Sequence, residues 1–124
     1  MDAILDTSVI IEVFKGNSKV VKSLPSEWVY GLSAITVFEL YCGTLKEKEE
    51  LMIEKLPKLH FDEKSAKIAG EIYRDLKKKG NLPPAKDLLI AANAIAHDKM
   101  LITCDKDFEL FTEYGLKVRI IKRD

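Results

Sequence analysis

The chain has 124 residues, 20 basic and 20 acidic, with a formal net charge of +0. That length allows one domain, residues 1–124, burying about 65% of its unfolded surface, and leaves no room for a second core. Neutrality argues against binding nucleic acid by bulk charge, although a basic rim around an acidic site stays open, and no apolar run reaches the ~20 residues of a membrane span. The start, Met1-Asp2, has neither a basic flank nor a small-residue cleavage site, so a cytoplasmic protein is expected. Cys42 and Cys104 match no zinc spacing and read as buried free thiols. The absence of Gln, with abundant Lys, Glu and Ile, leans towards a thermophilic source.

In chain order, Ala3-Ile4-Leu5 is a short strand ended by Asp6-Thr7-Ser8, after which Val9, Ile10, Val13 and Phe14 recur at helical spacing up to Gly16. Residues 18–24 supply a further helical turn before Pro25. Trp28 to Leu32 has the aromatic and β-branched bias of a strand, and Ser33 to Thr36 offer hydroxyls that can cap the next helix. In that helix Ile35, Phe38, Cys42 and Leu45 form one stripe, and Glu39 falls within it. The same helix is expected to run on through Lys46 to Glu50 and end near Pro57. Lys58 to Phe61 reads as a strand, and Asp62 as the N-cap of an amphipathic helix with an apolar line of Ala69, Ile72, Tyr73 and Leu76. Lys77-Lys78-Lys79 and Gly80 close it.

The most informative stretch begins at Ala85. From Leu88 to Ala96 the only polar side chain is Asn93, which predicts a helix buried on every side, yet Asp87 opens it. Met100 to Thr103 then has the length of a buried strand, and Asp105 stands just past its carboxyl end. A short helical segment to Tyr114 and a final strand, Lys117 to Ile121, complete the chain. His97 near a helix C-terminus reads as a dipole-favoured side chain rather than a catalyst. Alternating strands and helices imply a parallel sheet covered on both faces, a three-layer α/β/α sandwich.

Four carboxylates need an account as a set. Asp6 could simply cap a helix, Glu39 with Thr36 fits a capping box, Asp87 suits a first helical turn, and Asp105 may cap the segment after its strand, with Asp107 a solvated acid. Those readings explain each residue but not why two acids follow apolar strands at the carboxyl edge while two sit on helices that pack against it. No Lys or Arg is positioned in sequence to neutralise them together. Carboxylates crowded in a cleft repel, and a hard divalent cation with oxygen ligands is the usual resolution. Such a metal can activate water for attack on a phosphodiester.

At these residues the chain resembles a known family. Leu5-Asp6-Thr7-Ser8, Thr36-Val37-Phe38-Glu39-Leu40, Asp87 to Ala92 and Thr103 to Phe108 look like the four motifs of PIN-domain ribonucleases, and the size resembles the VapC toxins of toxin–antitoxin pairs. The resemblance implies a PIN-like parallel-sheet fold, Mg2+- or Mn2+-dependent endonucleolytic cleavage of RNA, a homodimer and inhibition by a small VapB-type antitoxin. Carried over, Asp6, Glu39, Asp87 and Asp105 become the catalytic, metal-binding acids, with Ser8 and Thr103 as hydroxyls near them and Asp107 as a more distant candidate. Lys86 and the Lys77 to Lys79 run are candidates for RNA contact. Alternatives are a PIN-type RNA-maturation nuclease, a PIN domain that only binds RNA or protein, and an aspartyl-phosphate phosphohydrolase. The last would want a second Asp two positions after Asp6, where Ser8 stands.

Overall fold

Five short runs pair side by side: Ala3–Leu5 (β1), Tyr30–Ser33 (β2), Lys58–Leu59 (β3), Met100–Thr103 (β4) and Lys117–Ile120 (β5). Their order is β3-β2-β1-β4-β5, with every neighbouring pair parallel. The structure, a computed structural model, describes all residues 1–124. Between the strands lie α1 (Thr7–Phe14), α2 (Ser18–Lys22), α3 (Ala34–Tyr41), α4 (Glu47–Lys55), α5 (Glu63–Lys78) and α6 (Ala85–Ala96), and a 3-10 helix, Lys106–Tyr114, joins β4 to β5.

Strand alternation divides the interior of the one domain into two apolar layers, one on each face of the sheet. Ile4 and Leu101 face one side with Ala69, Ile72 and Leu76 of α5, the apolar body of α6, and Phe108 and Phe111. Ala3, Leu5 and Ile102 face the other with Val9 and Ile10 of α1, Val20 of α2, Leu40 of α3 and Ile53 of α4. The result is the expected α/β/α sandwich. In β2 the chain needs Gly31, since a Cβ there would come within 2.9 Å of the Pro57 carbonyl oxygen and collide with the tip of Met1.

The strand order positions the site. The chain lays down β1, β2 and β3 outward on one side, then returns through α5 and α6 to place β4 on the other side of β1. Strand order therefore reverses between β1 and β4, and a crevice at the carboxyl ends of such strands is where open α/β sheets bind ligands. The Asp6 amide donates to Ile102 O at 2.9 Å, carrying the β1–β4 ladder one residue past β1.

Helix α6 is fixed by its one buried polar residue. Asn93 is fully buried, accepts from the Ser33 hydroxyl at 2.7 Å, and donates to His60 O at 2.9 Å and the Ser65 hydroxyl at 3.0 Å. Ser33 also caps α3 through the Ile35 amide, and Ser65 bonds the α5 N-cap Asp62. One amide thus locks three elements around the carboxyl edge. His97, the C-cap of α6, has its Nε2 3.0 Å from the carboxylate of Asp62, the α5 N-cap.

Several expectations change. The second strand begins at Tyr30, not Trp28, which sits in the preceding bend with the Arg119 guanidinium over its ring. The long helix from Ile35 breaks at Cys42: α3 ends at Tyr41 and α4 restarts at Glu47, its start fixed by the Glu49 carboxylate accepting from the Lys46 amide at 2.9 Å. The buried face of α3 is Thr36 and Leu40 rather than the Ile35, Phe38, Cys42, Leu45 stripe, and Phe38 is 60% exposed. Cys42 is accordingly an exposed thiol and Cys104 a half-buried one, both free. Tyr73 drops from the apolar line of α5, being exposed on that helix. No helix is long and apolar enough to cross a membrane.

Replacing Asn93 by Ala strands the Ser33 and Ser65 hydroxyls and the His60 carbonyl. Unfolding by denaturant should register a loss of about 2–3 kcal/mol, because unpaired buried polar groups keep their desolvation cost. A loss below about 0.5 kcal/mol would mean that the network does not hold α6.

Candidate functional site

Two acids occupy the crevice directly. Asp6, only 5% exposed, directly follows β1 and caps α1, while Asp105 lies two residues beyond β4 and caps the 3-10 helix by accepting from the Asp107 amide at 2.9 Å. Capping and a site role coexist, because a cap uses one carboxylate oxygen. On Asp6 all donors converge on Oδ2: the Ser8 hydroxyl at 2.7 Å, the Ser8 amide at 3.4 Å and the Thr103 hydroxyl at 2.9 Å. Its Oδ1 receives nothing from the chain.

The hydroxyls form a short chain of their own. Ser8 Oγ lies 3.3 Å from Thr103 Oγ1 and accepts from the Cys104 amide at 3.0 Å, while Thr103 Oγ1 accepts from the Asp105 amide at 3.0 Å. Register produces this meeting: Leu5 pairs with Ile102, so the next residues, Asp6 and Thr103, face each other past the strand ends.

The other two acids come from helices. Glu39 lies inside α3, one turn beyond Thr36, and since Ser33 is the N-cap, a Thr36–Glu39 capping box does not form. Thr36 Oγ1 is buried and has no partner. Glu39 Oε1 accepts from the Thr7 hydroxyl at 2.9 Å, and Oε2 faces the Lys86 ammonium at 3.4 Å. Thr7 was not among the sequence candidates; its place between Asp6 and Ser8 was the available signal. Lys86, named in the sequence as a rim candidate, thus reaches one of the acids, and a single ammonium, 55% exposed at its side chain, does not neutralise five carboxylates as a group. Lys79 from the basic run is occupied elsewhere, held by Asp75 at 3.1 Å and Glu113 at 3.4 Å.

Asp87, in the first turn of α6, shows the electrostatic result. Its carboxyl is pushed up to about 6, first by burial and then by the charges of Asp6, Asp105, Glu39 and Asp107. The acids feel one another, yet no three are grouped closely enough to form a ready metal cage. Like charges in a partly dry cleft keep their distance. The donor set is entirely hard oxygen, negative charge is in excess, and Asp6 and Asp105 each retain an oxygen without a donor from the chain. These features fit a divalent cation of the Mg2+ or Mn2+ type. Beside Glu39 and Thr7 a groove of about 410 Å3 opens between α1 and the α3–α4 turn, with Ile11, Phe14, Leu40 and Leu45 among its walls.

Residues 3–113 match the family described as PIN domain. Ribonuclease VapC3 of Methanocaldococcus jannaschii is 56% identical over 92 residues, 74% of this chain and 97% of that protein. Ribonuclease VapC1 of the same organism is 35% identical over 120 residues, covering 93% of this chain and 85% of that one. Among solved structures, VapBC-1 from nontypeable Haemophilus influenzae superposes with a TM-score of 0.76 at 26% identity, over 97% of this chain and 98% of that chain.

Asp87 makes the metal-free fold pH-sensitive. Its folded carboxyl binds a proton more tightly than an unfolded one titrating near 3.8, so stability in EDTA should fall as pH rises from about 4 to about 6 and then level. Asp87→Asn should flatten that part of the profile. Melting curves across the window check it, and parallel profiles for the two proteins would remove Asp87 from the charged cluster.

Proposed function

Because this chain belongs to the PIN-domain family, and within it to the VapC ribonucleases, we propose that its acidic cleft is the cleavage centre of an endoribonuclease acting as the toxin of a toxin–antitoxin pair. The observation that carries this reading is geometric: Asp6 and Asp105 meet past the ends of the adjacent strands β1 and β4 through the Thr103 hydroxyl, and Glu39 is reached from Thr7 beside Asp6, with Lys86 as its one ion-pair partner. Asp6, Glu39, Asp87 and Asp105 would hold Mg2+ or Mn2+. Such a cation, when bound, activates water at neutral pH and draws charge from phosphate oxygens.

The chain's own part is orientation. Ser8 and Thr103 fix Asp6 by one oxygen and turn the other to the cleft, and Thr7 does the same for Glu39. Asp107 stands one step outside, its amide held by Asp105. Lys86 balances Glu39, and its half-exposed ammonium would also be placed to meet a phosphate of the substrate. The protein works in the cytoplasm, where its RNA substrate is.

A VapB-type antitoxin fits the groove beside Glu39, since an apolar segment seated between Ile11 and Leu45 would end at the acids and close them to RNA. A homodimer belongs to the same proposal. The apolar residues in and around α4 that suggested one are mostly spent in the core: Ile53 is buried and Leu45, Met52 and Leu56 pack against its cluster, leaving Leu51 exposed. The better face is an apolar hollow between α5 and α6, lined by Phe61, Tyr73, Leu82 and Leu89 and floored at Gly70.

Purified protein should cut single-stranded RNA with Mn2+ or Mg2+ and stop on addition of EDTA. Asp6→Asn should be inactive yet melt a few degrees higher in EDTA, since losing one like-charge contact gains on the order of 1 kcal/mol. Metal at about 100 times its dissociation constant should stabilise wild type by roughly 2.7 kcal/mol and the variant by clearly less. If Asp6 were a helix cap alone, Asn would serve as well, and the variant would keep activity and the full metal response. For the dimer, sedimentation should give two chains at micromolar concentration and one for Leu82→Asp; a monomeric wild type would remove this part of the proposal.

A further inference from the structure

The acids that serve cleavage also repel RNA, and with no net charge the chain has no general attraction to offset this. Attraction must then be local. Immediately beyond Asp105, the ends of β4 and β5 enclose a concavity of about 450 Å3 walled by Cys104, Lys106, Ile120, Ile121, Lys122, Arg123 and Asp124, three cations to one acidic side chain. It adjoins the acid cleft, since Cys104 lies between Thr103 and Asp105 and its amide donates to the same Ser8 hydroxyl that holds Asp6.

The basic wall is built rather than loose. The Ile121 amide continues the ladder to Thr103 O at 2.8 Å, and the Asn17 side-chain amide donates to Arg123 O at 2.9 Å. Glu12, buried at the end of α1, accepts from Asn17 at 2.9 Å and faces Arg123 Nε at 3.9 Å and the Lys15 ammonium at 3.5 Å. Glu12 thus anchors the strand that carries the cations while partly balancing Arg123. Lys106 and Lys122 are exposed, and neither is among the ion-paired bases of the chain. Two unpaired ammoniums on a pinned backbone, next to a site that needs a phosphodiester brought in, form a phosphate-holding arrangement in which only the two side chains have to be ordered on binding.

We propose that Lys106 and Lys122, with Arg123 behind them, form a positioning subsite for a backbone phosphate of single-stranded RNA next to the phosphate being cleaved. This rests on the endoribonuclease reading and adds to it the direction in which the strand leaves the acid cleft: over the β4–β5 edge. The side chains touch no reacting atom. Their action is to hold the strand against the repulsion of Asp105 and Asp107.

The test compares wild type, Lys106→Ala/Lys122→Ala and a charge-matched control, Lys55→Ala/Lys64→Ala, on a mixed-sequence single-stranded oligoribonucleotide with Mn2+. The subsite variant should raise KM several-fold with the loss falling on KM rather than kcat, and flatten the dependence of log KM on log salt by about 0.7 for each phosphate contact removed. Neutral methylphosphonate linkages placed singly around the cleaved bond should include one neighbouring position that raises KM for wild type and not for the variant. Equal KM and salt slope in wild type and variant, or the same change in the control, would overturn the subsite. Should wild type fail to cleave RNA at all, the enzymatic reading falls separately, and anisotropy measurements of the same RNA binding to Asp6→Asn with and without the two lysines decide the subsite.

Discussion

Mutual repulsion among carboxylates at the carboxyl edge of the sheet is the constraint around which the molecule is arranged. A half-buried acid near four others is disfavoured in its charged form: burial first, and then the charges of Asp6, Asp105, Glu39 and Asp107, push the Asp87 carboxyl up. The fold bears this because rigid elements hold each acid: Asp6 directly follows β1, Asp105 lies two residues beyond the neighbouring β4 and caps the 3-10 helix, and Glu39 and Asp87 sit within α3 and in the first turn of α6. Loops would let the charges drift apart. Here the backbone cannot, so the strain remains available to favour a cation.

Rigidity at that edge is supplied by polar groups as much as by apolar packing. Asn93 joins α6 to the start of α3 and to the β3–α5 junction, which fixes the helices carrying Asp87 and Glu39 relative to each other. The Ser8–Thr103 hydroxyl chain does the corresponding work between β1 and β4. Both networks bury hydroxyls and amides that would be expensive unpaired, and both pair them. Fold stability and site geometry therefore share residues, which is why a buried amide on α6 bears on chemistry at Asp87.

Much of this was legible in the chain. Asp6 and Asp105 follow strand-length apolar runs, Asp62 and Ser33 cap helices as their side chains allow, and the apolar surround of α6 required burial. The break after Tyr41 was not, because Phe38, Cys42 and Leu45 keep helical spacing across it; the side of α3 that is buried depends on α1 and α6, which no local pattern encodes. Register had the same effect at the site. That Thr103 meets Asp6, that Thr7 reaches Glu39 and that Lys86 faces it are contacts between residues 32 to 97 positions apart or on separate helices. The acids could be read one by one; the groups that orient them needed the sheet.

The central claim is that the acids form one charged cluster whose repulsion a divalent cation relieves. The direct measurement is the carboxyl titration of Asp87 by carbon-detected NMR, first in EDTA and then in excess Mg2+. The account predicts titration near 6 without metal and a displacement well below the ordinary carboxylate range when Mg2+ is present. Titration near 4 that is indifferent to Mg2+ would contradict it.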